Sequence, residues 1–213
     1  MKKLYLYGAG SGSREVLLMI ERLNAARPEW DVKGFVDEAP GKIGTTVDDL
    51  PVLGPDDVPV SEDTYGVCGI MDPYVRQRMV EQHIEGRGIK LPTIIAPDVI
   101  VPRDFAAGPG CIIMPSATIS FDVQIGKGVF ALWGTVLGHH LRAGEYATIL
   151  SFASITGECK VGARSTIGAG AILNNKVTVG SDSFVGIGST VLRNVGDHKQ
   201  VISLPRQIET DRR

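Results

Sequence analysis

The 213-residue chain is poor in aromatic residues, with 5 Tyr, 6 Phe and 2 Trp, and has only three cysteines, Cys68, Cys111 and Cys159. An odd cysteine count without a CxxC pair argues against a disulfide framework and fits a reducing compartment. Neither sign of charge dominates: 22 Lys and Arg against 24 Asp and Glu leave a net charge of −2, so there is no electrostatic case for nucleic acid or an anionic membrane surface. No apolar run approaches the roughly 20 residues that span a bilayer. The opening MKKLYLYGAG meets glycine after too short an apolar stretch for a signal peptide, and it reads as a first strand. These absences describe a cytoplasmic protein with enough apolar material for one domain or two small ones. What the chain has in excess is glycine, 26 residues of it.

Two halves differ in period. Over residues 1–90, strand-like and helix-like segments alternate. Lys3–Tyr7 is a short strand running into Gly8-Ala9-Gly10-Ser11-Gly12-Ser13, and Val16, Leu17, Ile20 and Leu23 give Arg14–Asn24 one apolar helical face. Val32–Val36 and Tyr65–Ile70 read as further strands, Pro73–Glu85 as a helix with Pro in its first turn, and Asp37–Pro59 as loop. This order predicts a small parallel sheet covered by helices, a Rossmann-like α/β domain.

From Ile95 every sixth residue is aliphatic, through Val101, Ala107, Ile113, Ile119 and onward to Val185 and Val191, 17 positions without a slip. Glycine often follows directly, as at Gly126, Gly138, Gly144 and Gly162, and the fourth position after the aliphatic is mostly small or apolar. A six-residue period fits neither an α-helix nor a plain alternating strand; it is the hexapeptide signature of a parallel β-helix. Each hexad is one flat strand and a turn, with the aliphatic residue inside, the small residue at the corner, and glycine where backbones pack closely. The expected division is 1–90 for the α/β domain and 91–213 for the β-helix and its tail.

Two groups of residues carry candidate chemistry. Gly8, Gly10 and Gly12 stand between a strand and a helix, where backbone N–H groups and the helix dipole suit an anion, although a plain tight turn explains them equally well. Ser11 or Ser13 is placed to cap that helix. The second group is Gly138-His139-His140. His139 lies two residues after the inward Leu137, so it projects from the prism, and an imidazole there can take a proton from an amine or hydroxyl nucleophile near neutral pH. The remaining histidines, His83 and His198, read as surface residues. A zinc site of three converging histidines is not available, because only the adjacent pair lies in the hexads and neighbours on one strand point to opposite sides.

A small α/β domain followed by unbroken hexads, with GAGSGSREV at the first turn, GFVDE at the end of the second strand and VLGHH within the hexads, resembles the NeuD/PglD-type sugar O- and N-acyltransferases. The resemblance covers nearly the whole chain. It implies a left-handed β-helix of about three hexads per coil, hence five to six coils, and a homotrimer that transfers an acetyl group from acetyl-CoA to a sugar, often an amino sugar on a nucleotide diphosphate. It implies that Gly8, Gly10, Ser11 and Gly12 meet the nucleotide-sugar's phosphates, that Asp37 and Glu38 hold the base, and that the His139–His140 pair is catalytic with His139 as general base. It further implies that Thr148, Gly157, Ala169 and Ile187 line the acetyl-CoA channel and that no metal is needed. Three positions depart from the pattern. His140 stands where an acidic residue usually orients the base, leaving Glu145 or Glu158 to supply the carboxylate. Leu132 replaces an asparagine, and Ser203-Leu204-Pro205-Arg206 replaces a glycine- and alanine-bearing tail motif. The runner-up reading is a ligand-binding or assembly module that kept the scaffold and lost the chemistry.

Overall fold

The computed structural model describes residues 1–203. Its N-terminal half is one five-stranded sheet. Strand β1 (Lys2–Tyr7) lies in the middle, with β2 (Trp30–Val36) on one side and β5 (Thr64–Cys68) on the other, both parallel to it. Leu4, Leu6 and Tyr7 are fully buried, as a strand covered on both faces requires. Helix α1 (Ser11–Ala26) makes the crossover from β1 to β2 and buries Val16, Leu17, Met19 and Ile20 against the sheet.

The Rossmann-like domain expected from the sequence is not present. Beyond the single β1–α1–β2 crossover, the sheet is completed by an antiparallel pair, β3 (Thr46–Val47) and β4 (Leu50–Leu53), giving the order β3-β4-β2-β1-β5. The path from β4 to β5 runs through a 3₁₀ turn at Pro55–Asp57 instead of a helix. Only two α-helices occur among the described residues, and every strand after β5 belongs to the parallel β-helix. The Pro-, Gly- and Asp-rich composition of residues 37–63 is the reason, because such a stretch makes turns and cannot hold a crossover helix.

The second helix is also shorter than its pattern suggests. Asp72 caps α2 (Pro73–Met79) by accepting from the N–H groups of Tyr74 and Val75. The backbone then widens into a π turn at Val80–Ile84, tightens into a 3₁₀ turn at Glu85–Arg87, and stops at Gly88 with φ 71°.

The hexads form a three-walled parallel prism. Two-residue strands repeat every 18 residues on each wall: Ile112–Ile113 pairs with Phe130–Ala131 on the first, Thr118–Ile119 with Val136–Leu137 on the second, and Gln124–Ile125 with Arg142–Ala143 on the third. From Ile113 to Val191 every hexad aliphatic is buried, each valine, leucine or isoleucine among them being worth roughly 1.5–3 kcal/mol. The first coils differ: Val101 is 46% exposed and belongs to no strand, Ala107 is exposed within its strand, and Ile95 is partly buried. Each corner from residue 110 to 188 turns on a left-handed residue three places after the aliphatic; five of these are glycine, and the rest include Asp122, His140 and Glu158. The glycines directly after the aliphatics do another job. A Cβ on Gly138 would stand 2.5 Å from the carbonyl oxygen of Ile155 on the next coil.

Arg76 of α2 joins the halves. It is 1% exposed and donates from Nε to the Gly128 carbonyl at 2.9 Å and from Nη2 to that of Tyr146 at 2.6 Å, both in the prism. Trp133 Nε1 donates to Glu15 on α1 at 2.9 Å, a second tie between the halves.

Candidate active site

The glycine-rich turn opens into a cleft of about 380 Å³ lined by Gly8, Gly10, Ser11, Gly12, Asp37 and Glu38, with Lys42 and the Ile70–Met71 segment completing it. All six residues that the sequence assigns to nucleotide binding therefore share one cavity. Gly10 is the N-cap of α1, with no side-chain cap and no acidic residue in the first turn. The serines do not cap: Ser11 lines the cleft, and Ser13 Oγ donates back to the Tyr7 carbonyl at 3.0 Å. An uncapped 16-residue helix therefore points its positive end into the cleft. Gly8 sits at φ 94°, and a Cβ on Gly12 would meet the Gly69 carbonyl oxygen, so these two positions need glycine, whereas Gly10 faces open space.

Asp37 anchors the turn. Its carboxylate accepts from the Ala9 N–H at 2.9 Å, the Ala39 N–H at 3.0 Å and Lys42 Nζ at 2.8 Å. Burial pushes this carboxyl up, but the Lys42 ammonium and the two N–H donors outweigh it and hold it below the usual carboxylate range. Glu38 is engaged elsewhere: Arg78 grips both of its oxygens at 2.6 Å and His83 Nε2 lies 2.9 Å away, with Arg78 the main cause of its lowered pKa. His83 is therefore half-buried beside the cleft, not a free surface residue as expected. Lys42, Arg78 and His83 were missed because each acts through a carboxylate remote in sequence or within a loop.

His139 and His140 lie on the corner between the second and third walls and do not line the cleft. They sit on a turn, not a strand, and the left-handed His140 (φ 58°) swings its ring back, so the two imidazoles do not diverge as the sequence suggests. Their Nδ1 atoms are 2.9 Å apart and their rings meet edge to face at 88°. One coil earlier, Phe121 stacks on His139 with centroids 5.2 Å apart and planes 7° apart. One coil later, a Cβ on Gly157 would run into Cε1 and Nε2 of His139, so the imidazole lies directly over Gly157 and any larger residue there would displace the ring. Neither expected carboxylate reaches His139: Glu158 gives it only a backbone N–H, at 2.7 Å to the His139 carbonyl, while its side chain faces Lys176 at 3.8 Å, and Glu145 lies on another edge, under Gly126. The carboxylate that does approach is Asp122, 3.7 Å from His140 Nε2.

The residues assigned to acetyl-CoA do not share one place on the chain. Gly157 is beneath His139. Ala169 and Ile187 follow first-wall strands on the corner toward the second wall, where Ile187 is 75% exposed. Thr148 is buried, accepting from Arg76 at 2.9 Å and donating to the Met71 carbonyl at 2.8 Å. Leu132, in the asparagine's place, is buried in the apolar cluster that spans both halves. Of the tail motif, Leu204-Pro205-Arg206 lies outside the described residues. The three cysteines are buried and free, and among the described residues no cluster of His, Cys, Asp or Glu is placed to hold a metal ion. No helix among them is long and apolar enough to cross a membrane.

No protein-family model and no curated protein sequence matches this chain. Solved structures do. Perosamine N-acetyltransferase from Caulobacter crescentus, in complex with CoA and GDP-perosamine, is 25% identical with a TM-score of 0.82, over 99% of this chain and 98% of that one. The acetyltransferase domain of PglB from Neisseria gonorrhoeae, in complex with acetyl coenzyme A, is 23% identical with a TM-score of 0.83, over 93% of this chain and 95% of that one. WeeI from Acinetobacter baumannii is 21% identical with a TM-score of 0.86, over 95% and 97%. The chain is thus similar over nearly its whole length to the hexapeptide-repeat sugar acyltransferases, the resemblance that its hexads and VLGHH segment carry.

Proposed function

We propose that this chain is an acetyl-CoA-dependent sugar acetyltransferase that acts on the amino group of a nucleotide-linked amino sugar, with His139 as general base. The observation that carries this reading is the convergence of Gly8, Gly10, Ser11, Gly12, Asp37 and Glu38 on one cleft. They converge in a chain whose fold matches, across 99% of its length, an N-acetyltransferase solved with CoA and GDP-perosamine. The uncapped end of α1 and Lys42 suit a diphosphate.

The amine attacks the thioester carbonyl carbon while His139 Nε2 takes its proton, and backbone N–H groups steady the oxyanion. Collapse expels the CoA thiolate, which takes the proton back from the imidazolium, so His139 ends as it began. Thr148, Gly157, Ala169 and Ile187 lie on more than one face of the prism, and the cleft is in the N-terminal half, apart from His139. That separation supports a site shared between subunits of a closed homotrimer, with residues 1–90 holding the nucleotide and 91–213 the donor. Three free buried cysteines fit the cytoplasm, where acetyl-CoA is available.

The test is CoA release from acetyl-CoA in the presence of GDP-, UDP- and dTDP-linked amino sugars, beside calorimetric titration of acetyl-CoA alone. Donor binding at one site per chain, with release only when an amino sugar is present and none from His139→Ala, is the expected result. Donor or nucleotide binding without release from any acceptor would instead mean a binding module on a transferase scaffold.

A further inference from the structure

Asp122, His140 and His139 form a line. Asp122 Oδ2 is 3.7 Å from His140 Nε2, and His140 Nδ1 is 2.9 Å from His139 Nδ1. Two nitrogens at 2.9 Å share one proton, so one of them donates and the other accepts. Asp122 decides which. At 3.7 Å, in ion-pair and not hydrogen-bond range, its negative charge attracts an N–H dipole and so favours the proton on His140 Nε2; His140 Nδ1 is then the lone pair, and His139 Nδ1 carries the hydrogen. That assignment leaves the lone pair of His139 on Nε2, the atom poised over Gly157.

We propose that His140 and Asp122 are positioning residues that fix His139 as the Nδ1–H tautomer with Nε2 free, taking over by a relay the task that a single acidic neighbour performs in the resembling family. This rests on the reading of His139 as the base. The chain's geometry also sets a brake on the relay. Arg142 donates to both Asp122 oxygens, at 2.9 and 2.8 Å, and so offsets much of the charge that would stabilise an imidazolium on His139. The same guanidinium holds Asp122 ionised, well below the usual carboxylate range. On the following coils the nearest charged side chains of this corner, Glu158 and Lys176, are turned toward each other at 3.8 Å. His140 therefore sits between a base that gains positive charge and a carboxylate whose strength Arg142 sets.

Four variants and two readouts test this. The first readout is ¹⁵N-detected histidine tautomers in the free protein above neutral pH, which needs no activity. The expected result is Nδ1–H for His139 and Nε2–H for His140, and in Asp122→Asn a loss of the fixed His140 tautomer. The opposite tautomers, or no change in Asp122→Asn, overturn the relay whatever the enzyme does. The second readout is kcat against pH at saturating substrates, in which the substrate amine's own titration is common to all variants. Asp122→Asn removes negative charge, so the acid limb moves to lower pH, and Arg142→Gln frees Asp122, so it moves to higher pH, each by about 0.3–1 unit. His140→Asn, which suits the left-handed corner, lowers kcat about 10- to 100-fold through a misplaced base. His140→Glu restores part of that loss by placing a carboxylate directly on His139. Unmoved limbs with full kcat in Asp122→Asn and His140→Asn overturn the inference while leaving a His139 base intact. Expected tautomers in a chain that transfers no acetyl group would uphold the relay and overturn only the catalytic reading.

Discussion

Arg76 donates to the hydroxyl of Thr148 at 2.9 Å, across 72 residues of chain, and Thr148 passes that contact on to the Met71 carbonyl at 2.8 Å. Arg76 itself also holds the Ile70 and Met71 carbonyls, at 2.8 and 2.9 Å. One wall of the cleft is therefore tied to the β-helix by a guanidinium that meets carbonyls and a hydroxyl but no carboxylate. Burial lowers the Arg76 pKa to about 10, which still leaves it charged at neutral pH.

Removing that guanidinium strands several buried carbonyls from both halves. Arg76→Met is expected to cost about 3–5 kcal/mol of unfolding free energy, the range for breaking a buried charged network. Thr148→Val, which keeps the shape and loses one hydroxyl, is expected to cost about 1–2 kcal/mol. Urea denaturation measures both. A cost below 1 kcal/mol for Arg76→Met would mean that the halves are held by apolar packing alone.

The three glycines of the first turn separate into two kinds. Gly12→Ala places a methyl against the Gly69 carbonyl, so the protein should lose stability and nucleotide binding together. Gly10→Val meets no protein atom within 4 Å of its Cβ and leaves the fold alone, but its side chain stands at the mouth of α1. The expected outcome is a Tm lowered only slightly, since valine is a poorer N-cap than glycine, with roughly 10-fold weaker nucleotide-sugar binding, about 1.4 kcal/mol, and unchanged acetyl-CoA binding, read by calorimetry.

Asp37 gives the cleft a pH dependence of known sign. Its carboxyl is held lower in the folded protein than in the unfolded chain, so the stability it contributes is fully present above the ordinary carboxylate value near 4 and is lost as pH falls through the folded value. Wild type should therefore exceed Asp37→Asn in Tm at pH 7, and the gap should close as pH is lowered through the folded carboxyl's lowered range. A gap that widens on acidification would contradict the bonds from Ala9, Ala39 and Lys42.

The prism was legible because its period is written into every coil: one buried aliphatic every sixth residue fixes strand, wall and corner together. The α/β half was less so. The helical face of Pro73–Glu85 continues in the sequence, but the backbone widens at Val80 where Ile84 and Val80 pack under the sheet. The stretch expected to be loop folds into β3 and β4 through local turns. Arg76 left no trace, since its partners are backbone carbonyls and carry no residue signature. Asp122 was within reach once the coil length is known, because subtracting 18 from His140 lands on it.

Gly157 offers the sharpest check on where the base sits. Its φ is not in the left-handed region, so alanine costs the backbone nothing there; what the new methyl meets is the His139 ring, at Cε1 and Nε2. The imidazole must then swing off Phe121, its stacking partner at 5.2 Å, and away from His140. Misplacement of about 1 Å in a reacting group costs on the order of 100-fold. Gly157→Ala should therefore fold and assemble like the wild type, bind the nucleotide-sugar in its separate cleft with unchanged affinity, and lose kcat by roughly that factor. Wild-type kcat in a well-folded Gly157→Ala protein would show that the proton leaves the amine by a route that does not pass through His139 Nε2.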